Sequence, residues 1–108
     1  MRLVSGNGYS TGRVEVNYLE SWGTVCGIGF NKVAARVVCK QLGFPDAKSI
    51  QLSSSYYGSG SGTVFLGNVQ CTGNETSIAA CRHSSWGGSG CSHSNDVGVV
   101  CISNSKLP

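Results

Sequence analysis

Residues 13–18 alternate: Val14, Val16 and Tyr18 fall on one face, and Arg13, Glu15 and Asn17 on the other. That two-residue period predicts a strand with one face in the core and one in solvent. Glu20-Ser21 is a turn signal, and residues 22–26 read as the hairpin partner. Residues 31–42 carry the longer period of a helix. Val33, Val37, Val38 and Leu42 form an apolar stripe, with Ala34 and Ala35 beside it. Asn31 is placed to cap this helix, Gly43 suits a left-handed residue after it, and Pro45 blocks continuation. Further on, the pattern predicts strands at 50–52 and 64–69, a short helix at 74–81 for which Asn74 is a candidate cap, and a buried strand at 97–102. Two Ser/Gly-rich loops intervene: 53–62, with Tyr56 and Tyr57, and 83–94, held by Trp86 and Cys91. Strands around one main helix predict an α+β domain.

Composition narrows the setting. A chain of 108 residues fits one domain with a modest core, and 16 glycines imply many turns and much irregular backbone. Six cysteines, an even number with no C-x-x-C pair, point to disulfides rather than a zinc ribbon or a redox site. Disulfides persist in oxidising compartments, so the expected location is extracellular, secreted or on an ectodomain. Eight Lys/Arg against five Asp/Glu leave a formal charge of +3. That favours anionic partners weakly and is far from the charge density of a nucleic-acid binder. No apolar run is long enough to cross a bilayer. Nor does a signal-peptide pattern open the chain. The expectation is therefore one piece of a larger secreted or membrane-anchored protein: a single domain over residues 1–102, with 103–108 a linker or cloning remnant.

Several segments together resemble one family. Trp22-Gly23-Thr24-Val25-Cys26, Val37-Val38-Cys39-Lys40-Gln41-Leu42-Gly43, Val69-Gln70-Cys71-Thr72-Gly73-Asn74-Glu75-Thr76-Ser77, Cys91-Ser92-His93 and Asp96-Val97-Gly98-Val99-Val100-Cys101 look like the scavenger receptor cysteine-rich (SRCR) domain. Arg2-Leu3-Val4 and Gly12-Arg13-Val14-Glu15-Val16 fit too. The family has six- and eight-cysteine groups. Tyr9-Ser10 and Phe44 occupy the regions of the extra pair, so the chain resembles the six-cysteine group. Sequence alone leaves the pairing open among more than a dozen arrangements. The resemblance implies Cys26–Cys91, Cys39–Cys101 and Cys71–Cys81. It also implies a curved, mostly antiparallel sheet cradling one helix.

The resemblance further implies a non-catalytic module that binds polyanions, microbial surface molecules or a host protein. Several members hold calcium with an Asp-Asp pair directly after the W-G-T-V-C cysteine and an acidic residue before the D-x-G of the last strand. Here those positions are Gly27, Ile28 and Asn95, and a second acidic pair is replaced by Gly67-Asn68. Calcium prefers several anionic oxygens, so neither a cofactor nor calcium is expected.

Candidate sites follow from the remaining residues. Lys32, Arg36 and Lys40 fall four apart and predict a basic ridge roughly 12 Å long on the helix. It reads either as a landing strip for anionic polymers or as an ordinary solvated face. Arg13 and Arg82 are added to the candidate ligand-binding cations. Val14-Glu15-Val16 and Trp22 resemble a segment that mucosal members use in bacterial recognition, against the simpler reading that Val14, Val16 and Trp22 are core. His83 and His93 each follow a cysteine by two positions, but paired cysteines and a structural hydrogen bond of His93 explain them better than zinc. Tyr56 and Tyr57 are either exposed binding aromatics or loop anchors. Asn74-Glu75-Thr76 is a glycosylation sequon. Catalysis finds no support: there is no G-x-S-x-G, no H-E-x-x-H and no P-loop. Together these features predict a ligand-binding extracellular module. The alternative is a positioning module within a larger secreted or membrane-anchored protease or matrix enzyme.

Overall fold

Strand β2 (Thr11–Tyr18) organises the molecule. The computed structural model describes residues 1–6, 10–52, 54–88 and 90–102; the tail 103–108 and Tyr9 lie outside them. Gly12 pairs with both Ser5 of β1 (Arg2–Ser5) and Val99 of β6 (Gly98–Ile102), while Glu15 pairs with both Arg2 and Thr24 of β3 (Ser21–Val25). Two further strands, β4 (Asp46–Gln51) and β5 (Val64–Leu66), extend the sheet to the order β4-β6-β2-β3-β5, with β1 pairing β2 off this path. All pairings are antiparallel except β3 with β5. The sheet is mixed, and it curls around helix α1 (Lys32–Gln41).

The helix forms where its signals place it. The Asn31 side chain accepts a hydrogen bond from the Ala34 amide at 3.0 Å, satisfying one orphan donor of the first turn. Gly43, at φ +96°, takes the left-handed position past the C-cap. Ala34, Ala35, Val37, Val38 and Cys39 are buried against Val14, Val16, Val25, Leu66, Val97 and Val99. Val33, expected in that stripe, is instead exposed at 38%. The helix lays its Ala34–Val38 side on the sheet, and the small alanines let the backbones approach.

Three disulfides close the fold: Cys26–Cys91, Cys39–Cys101 and Cys71–Cys81. The second fastens α1 to β6, the first ties the end of β3 to the segment before Asp96, and the third closes a ten-residue loop. The loop around residue 86 is held as expected. The Trp86 ring stacks on Tyr18 at 4.2 Å, and Phe65 packs on Tyr18 edge-on at 5.5 Å.

Several boundaries differ from the pattern. The hairpin turn is Leu19-Glu20, because Tyr18 pairs with Ser21. Strand β4 begins at Asp46 rather than at residue 50; it is an edge strand, which needs little β-propensity and tolerates Lys48. β5 stops at Leu66, where Asn68 at φ +51° leaves the extended region. The helix expected at 74–81 is only a 3₁₀ turn, Ile78–Ala80, capped by Ser77 rather than Asn74. A second 3₁₀ turn spans His93–Asn95.

Candidate functional site

The Lys32, Arg36 and Lys40 side chains all lie on the exposed side of α1. Arg36 is partly neutralised, since its Nε lies 3.6 Å from Asp46 Oδ1 on β4. Lys40 sits in the last turn, where the helix dipole favours a cation. Lys32 sits in the first turn, where the dipole disfavours one, and no acidic residue accompanies it.

Arg13 does not join this surface. Its side chain is only 10% exposed and pairs with Glu15, Nη2 to Oε2 at 3.0 Å. Nη1 donates to the carbonyls of Tyr57 and Gly58 at 3.0 and 3.2 Å. The face of β2 expected to meet solvent is thus covered by the loop around residues 57–62. Arg2 completes the cluster from outside, with Nη2 2.8 Å from Glu15 Oε1 and its guanidinium 4.0 Å from the centre of the Trp22 ring. Trp22 is 38% exposed, whereas Val14 and Val16 are core. Arg82 is exposed and paired through its backbone with Gln70, on a different element from the ridge.

The same loop is gripped from the other end of the chain. Asp96 is buried, and its Oδ2 accepts from the Gly60 amide at 2.7 Å and lies 2.8 Å from His93 Nδ1. His93 Nε2 lies 2.8 Å from the Gly62 carbonyl. Both ring nitrogens therefore face acceptors, which suits the imidazolium. The His93 pKa is raised above 6.5, first by the Gly62 carbonyl and then by Asp96, against desolvation and the Arg13 charge. Asp96 Oδ1 has no hydrogen-bond partner among the described residues. Tyr57 packs its ring where a Cβ on Gly98 would stand, so only glycine fits there. Burial, then the neighbouring Tyr56, pushes the Tyr57 pKa up. Tyr56 itself is exposed, beside a cleft of about 250 Å³ lined by Ser5, Gly6, Thr11, Tyr57 and Val100.

The positions corresponding to the family's cation ligands do come together, but without carboxylates. The Gly27 amide donates to the Asn95 carbonyl at 2.6 Å, and Ile28 projects outward. A Cβ at Gly27 would stand 2.6 Å from the Leu52 carbonyl oxygen, so this backbone has no room for an Asp. The donor set does not fit calcium. Cys71, Glu75 and Cys81 also cluster, but both sulfurs are in a disulfide and offer no thiolate. His83 contacts the Ala79 carbonyl and the Trp86 ring, apart from His93.

With this geometry in hand, likeness to known proteins is decisive. The family described as "Scavenger receptor cysteine-rich domain" matches residues 4–102. This chain belongs to the SRCR family. Lysyl oxidase homolog 2 of Homo sapiens is 52% identical over 100 residues, covering 93% of this chain but 13% of that protein. Its counterpart from Gallus gallus is 47% identical over the same length. The chain spans about an eighth of these relatives. Among solved structures, the third SRCR domain of murine neurotrypsin superposes with a TM-score of 0.82 at 42% identity, covering 93% of this chain and 92% of that one. The SRCR domain of mouse MARCO in its dimeric form gives 0.78 at 39%, covering 94% of each. The SRCR fold inferred from the motifs is therefore the fold observed.

Sequence reasoning did not find the Arg2–Trp22 stack or the Arg13–Glu15–Arg2 cluster. The polar residue at every other position along 13–17 looked like a solvent face. The one available signal was Gly58 and Gly60 in the loop that covers it, small enough to let backbone carbonyls reach an arginine.

Proposed function

We propose that this SRCR domain is a non-catalytic extracellular module that holds polyanionic surfaces through the α1 ridge, without a metal ion. One observation carries the reading: two of the five carboxylates are buried and two more are engaged locally, while most cations are displayed on the surface. Glu15 and Asp96 are buried. Asp46 faces Arg36, and Glu75 folds onto the Thr72 and Gly73 amides. Glu20 is exposed in the Leu19-Glu20 turn. Lys32, Arg36, Lys40, Lys48 and Arg82 are all exposed. Exposed cations outnumber exposed carboxylates, and several weak contacts along one ridge add up on a repeating polymer. Such polymers include microbial surface molecules, as in a scavenger-type receptor of innate immunity, and sulfated chains of the host.

The test is heparin-column elution of the domain and of a variant with Lys32, Arg36 and Lys40 all changed to Gln, at two salt concentrations, with calcium and with chelator. The wild-type domain elutes at higher salt than the variant, its retention falls with ionic strength, and calcium makes no difference. Equal retention of the two proteins removes the ridge, and loss of retention in chelator removes the metal-free mechanism.

A second reading is supported by the 52% identity to lysyl oxidase homolog 2. There the domain positions a larger matrix enzyme, with its surface against neighbouring domains or a host protein. Deleting the domain from the full-length chain would then alter where the enzyme is retained, not its turnover on a small soluble substrate.

A further inference from the structure

The sequon Asn74-Glu75-Thr76 is common as a motif, but its setting in the fold is specific. Glu75 turns inward. Its carboxylate accepts from the Thr72 amide at 2.9 Å, the Gly73 amide at 3.0 Å and the Thr72 hydroxyl at 3.1 Å. These bonds, the Thr72 amide first, hold the Glu75 pKa below its ordinary value. Its neighbours Asn74 and Thr76 are both exposed. The Cys71–Cys81 bridge fixes the base of this loop.

The competing use of Asn74, as a helix cap, is already taken. The Ser77 hydroxyl accepts from the Ala79 amide at 3.1 Å and caps the 3₁₀ turn. No side-chain hydrogen bond of Asn74 to a described residue occurs. The loop also runs against the start of α1: a Cβ on Gly73 would stand 3.7 Å from Val33 Cγ1. Val33 is the one residue of the helix's apolar stripe left 38% exposed, and Lys32 precedes it. The fold thus places an unengaged acceptor amide beside an uncovered apolar side chain.

We infer that Asn74 carries an N-linked glycan whose first sugars lie over Val33 and screen the Lys32 end of the ridge, leaving the Lys40 end open. In the linkage step, a bond forms between Asn74 Nδ2 and the anomeric carbon of a lipid-pyrophosphate-linked oligosaccharide. The carbon–oxygen bond to pyrophosphate breaks, the lipid pyrophosphate leaves with the electron pair, and the amide gives up one proton. The inference rests on the reading of the domain as exported.

The experiment expresses the chain behind an export leader in a mammalian host. Secreted protein is mapped by mass before and after amidase release of glycans, beside Asn74→Gln, Thr76→Ala and Thr76→Ser. Wild-type and Thr76→Ser protein carry a glycan at Asn74; the other two lack it and keep the same melting temperature. Secreted wild-type protein with an unmodified Asn74 overturns the glycan while leaving export intact. Failure of every variant to appear in the medium, with free thiols in the cell, overturns export and the glycan with it. Cover of Val33 is read by acylation of lysines with a bulky reagent. Lys32 reacts several-fold more slowly in glycosylated protein than in Asn74→Gln, while Lys40 reacts equally in both. Equal Lys32 rates overturn the placement over the ridge, independently of any heparin result.

Discussion

At the scale of single residues, the buried cluster around Glu15 has the largest energetic consequence. Glu15 accepts from Arg13, which is 10% exposed, and from Arg2, which is 49% exposed. Changing Glu15 to Ala leaves a buried guanidinium without its counter-ion and is expected to cost about 3–5 kcal/mol. Changing Arg2 to Ala removes a largely solvated partner and the contact with Trp22, an expected loss of about 1 kcal/mol. Equilibrium denaturation with the disulfides intact checks both, and equal costs would contradict the assignment. His93 makes a second prediction. Its folded pKa lies above its unfolded value of 6.5 because the Gly62 carbonyl and Asp96 favour the imidazolium. A raised pKa stabilises fully below the unfolded value and is lost as pH rises through the folded one. The hold on the 59–62 loop is therefore firmest in mild acid and loosens toward alkaline pH. His93→Gln should flatten that part of the stability–pH curve, and an unchanged slope would show that the ring does not report on the loop.

Among the elements, the β2–β3 hairpin carries an avoidable strain. Leu19 and Glu20 adopt φ +51° and +69°, the left-handed geometry of a two-residue turn that matches strand twist. A non-glycine residue there costs roughly 1–2 kcal/mol. Glu20→Gly should stabilise the domain by about 0.5–1 kcal/mol, because glycine recovers that strain and gives part of it back in unfolded-chain entropy. A lower melting temperature in the variant would show that Glu20 makes a compensating contact. This turn was misplaced by one residue in the sequence because neither residue is Asn or Gly. Helix α1, by contrast, was legible from Asn31 to Gly43, since a cap, a periodic stripe and a left-handed stop are all local signals. Strand β4 was only half legible. Its polar start, Asp46-Ala47-Lys48, is extended because β6 lies beside it, not because those residues favour strands.

For the molecule as a whole, the two long-range bridges decide stability. Cys39–Cys101 and Cys26–Cys91 span 62 and 65 residues. In the chain-entropy view each restricts the unfolded chain by about 4 kcal/mol, the short Cys71–Cys81 loop by about 3. Replacing Cys39 and Cys101 together by Ala should lower stability by about 4 kcal/mol and loosen α1 from β6. Replacing Cys71 and Cys81 should cost less and leave the sheet intact. Denaturant midpoints of the two variants compare them directly, and the reverse order would overturn the ranking of the long-range bridge above the short one. No helix among the described residues is long and apolar enough to cross a membrane.

Sequence by itself determined the class of domain, the main helix and its caps, the hairpin, and a resemblance to the SRCR family, which in turn implied the three bridges. Those features depend on neighbours a few residues apart or on cysteines whose order leaves a recognisable trace. Only the tertiary structure decided that Arg13 and Glu15 are interior, that Val33 and Trp22 are not, and that Gly27 meets the Leu52 carbonyl where a cation ligand would need room. Burial of a side chain depends on what distant segment covers it. The loop at 57–62 reaches β2 only after the chain has folded, and no periodicity along 13–18 could announce its arrival.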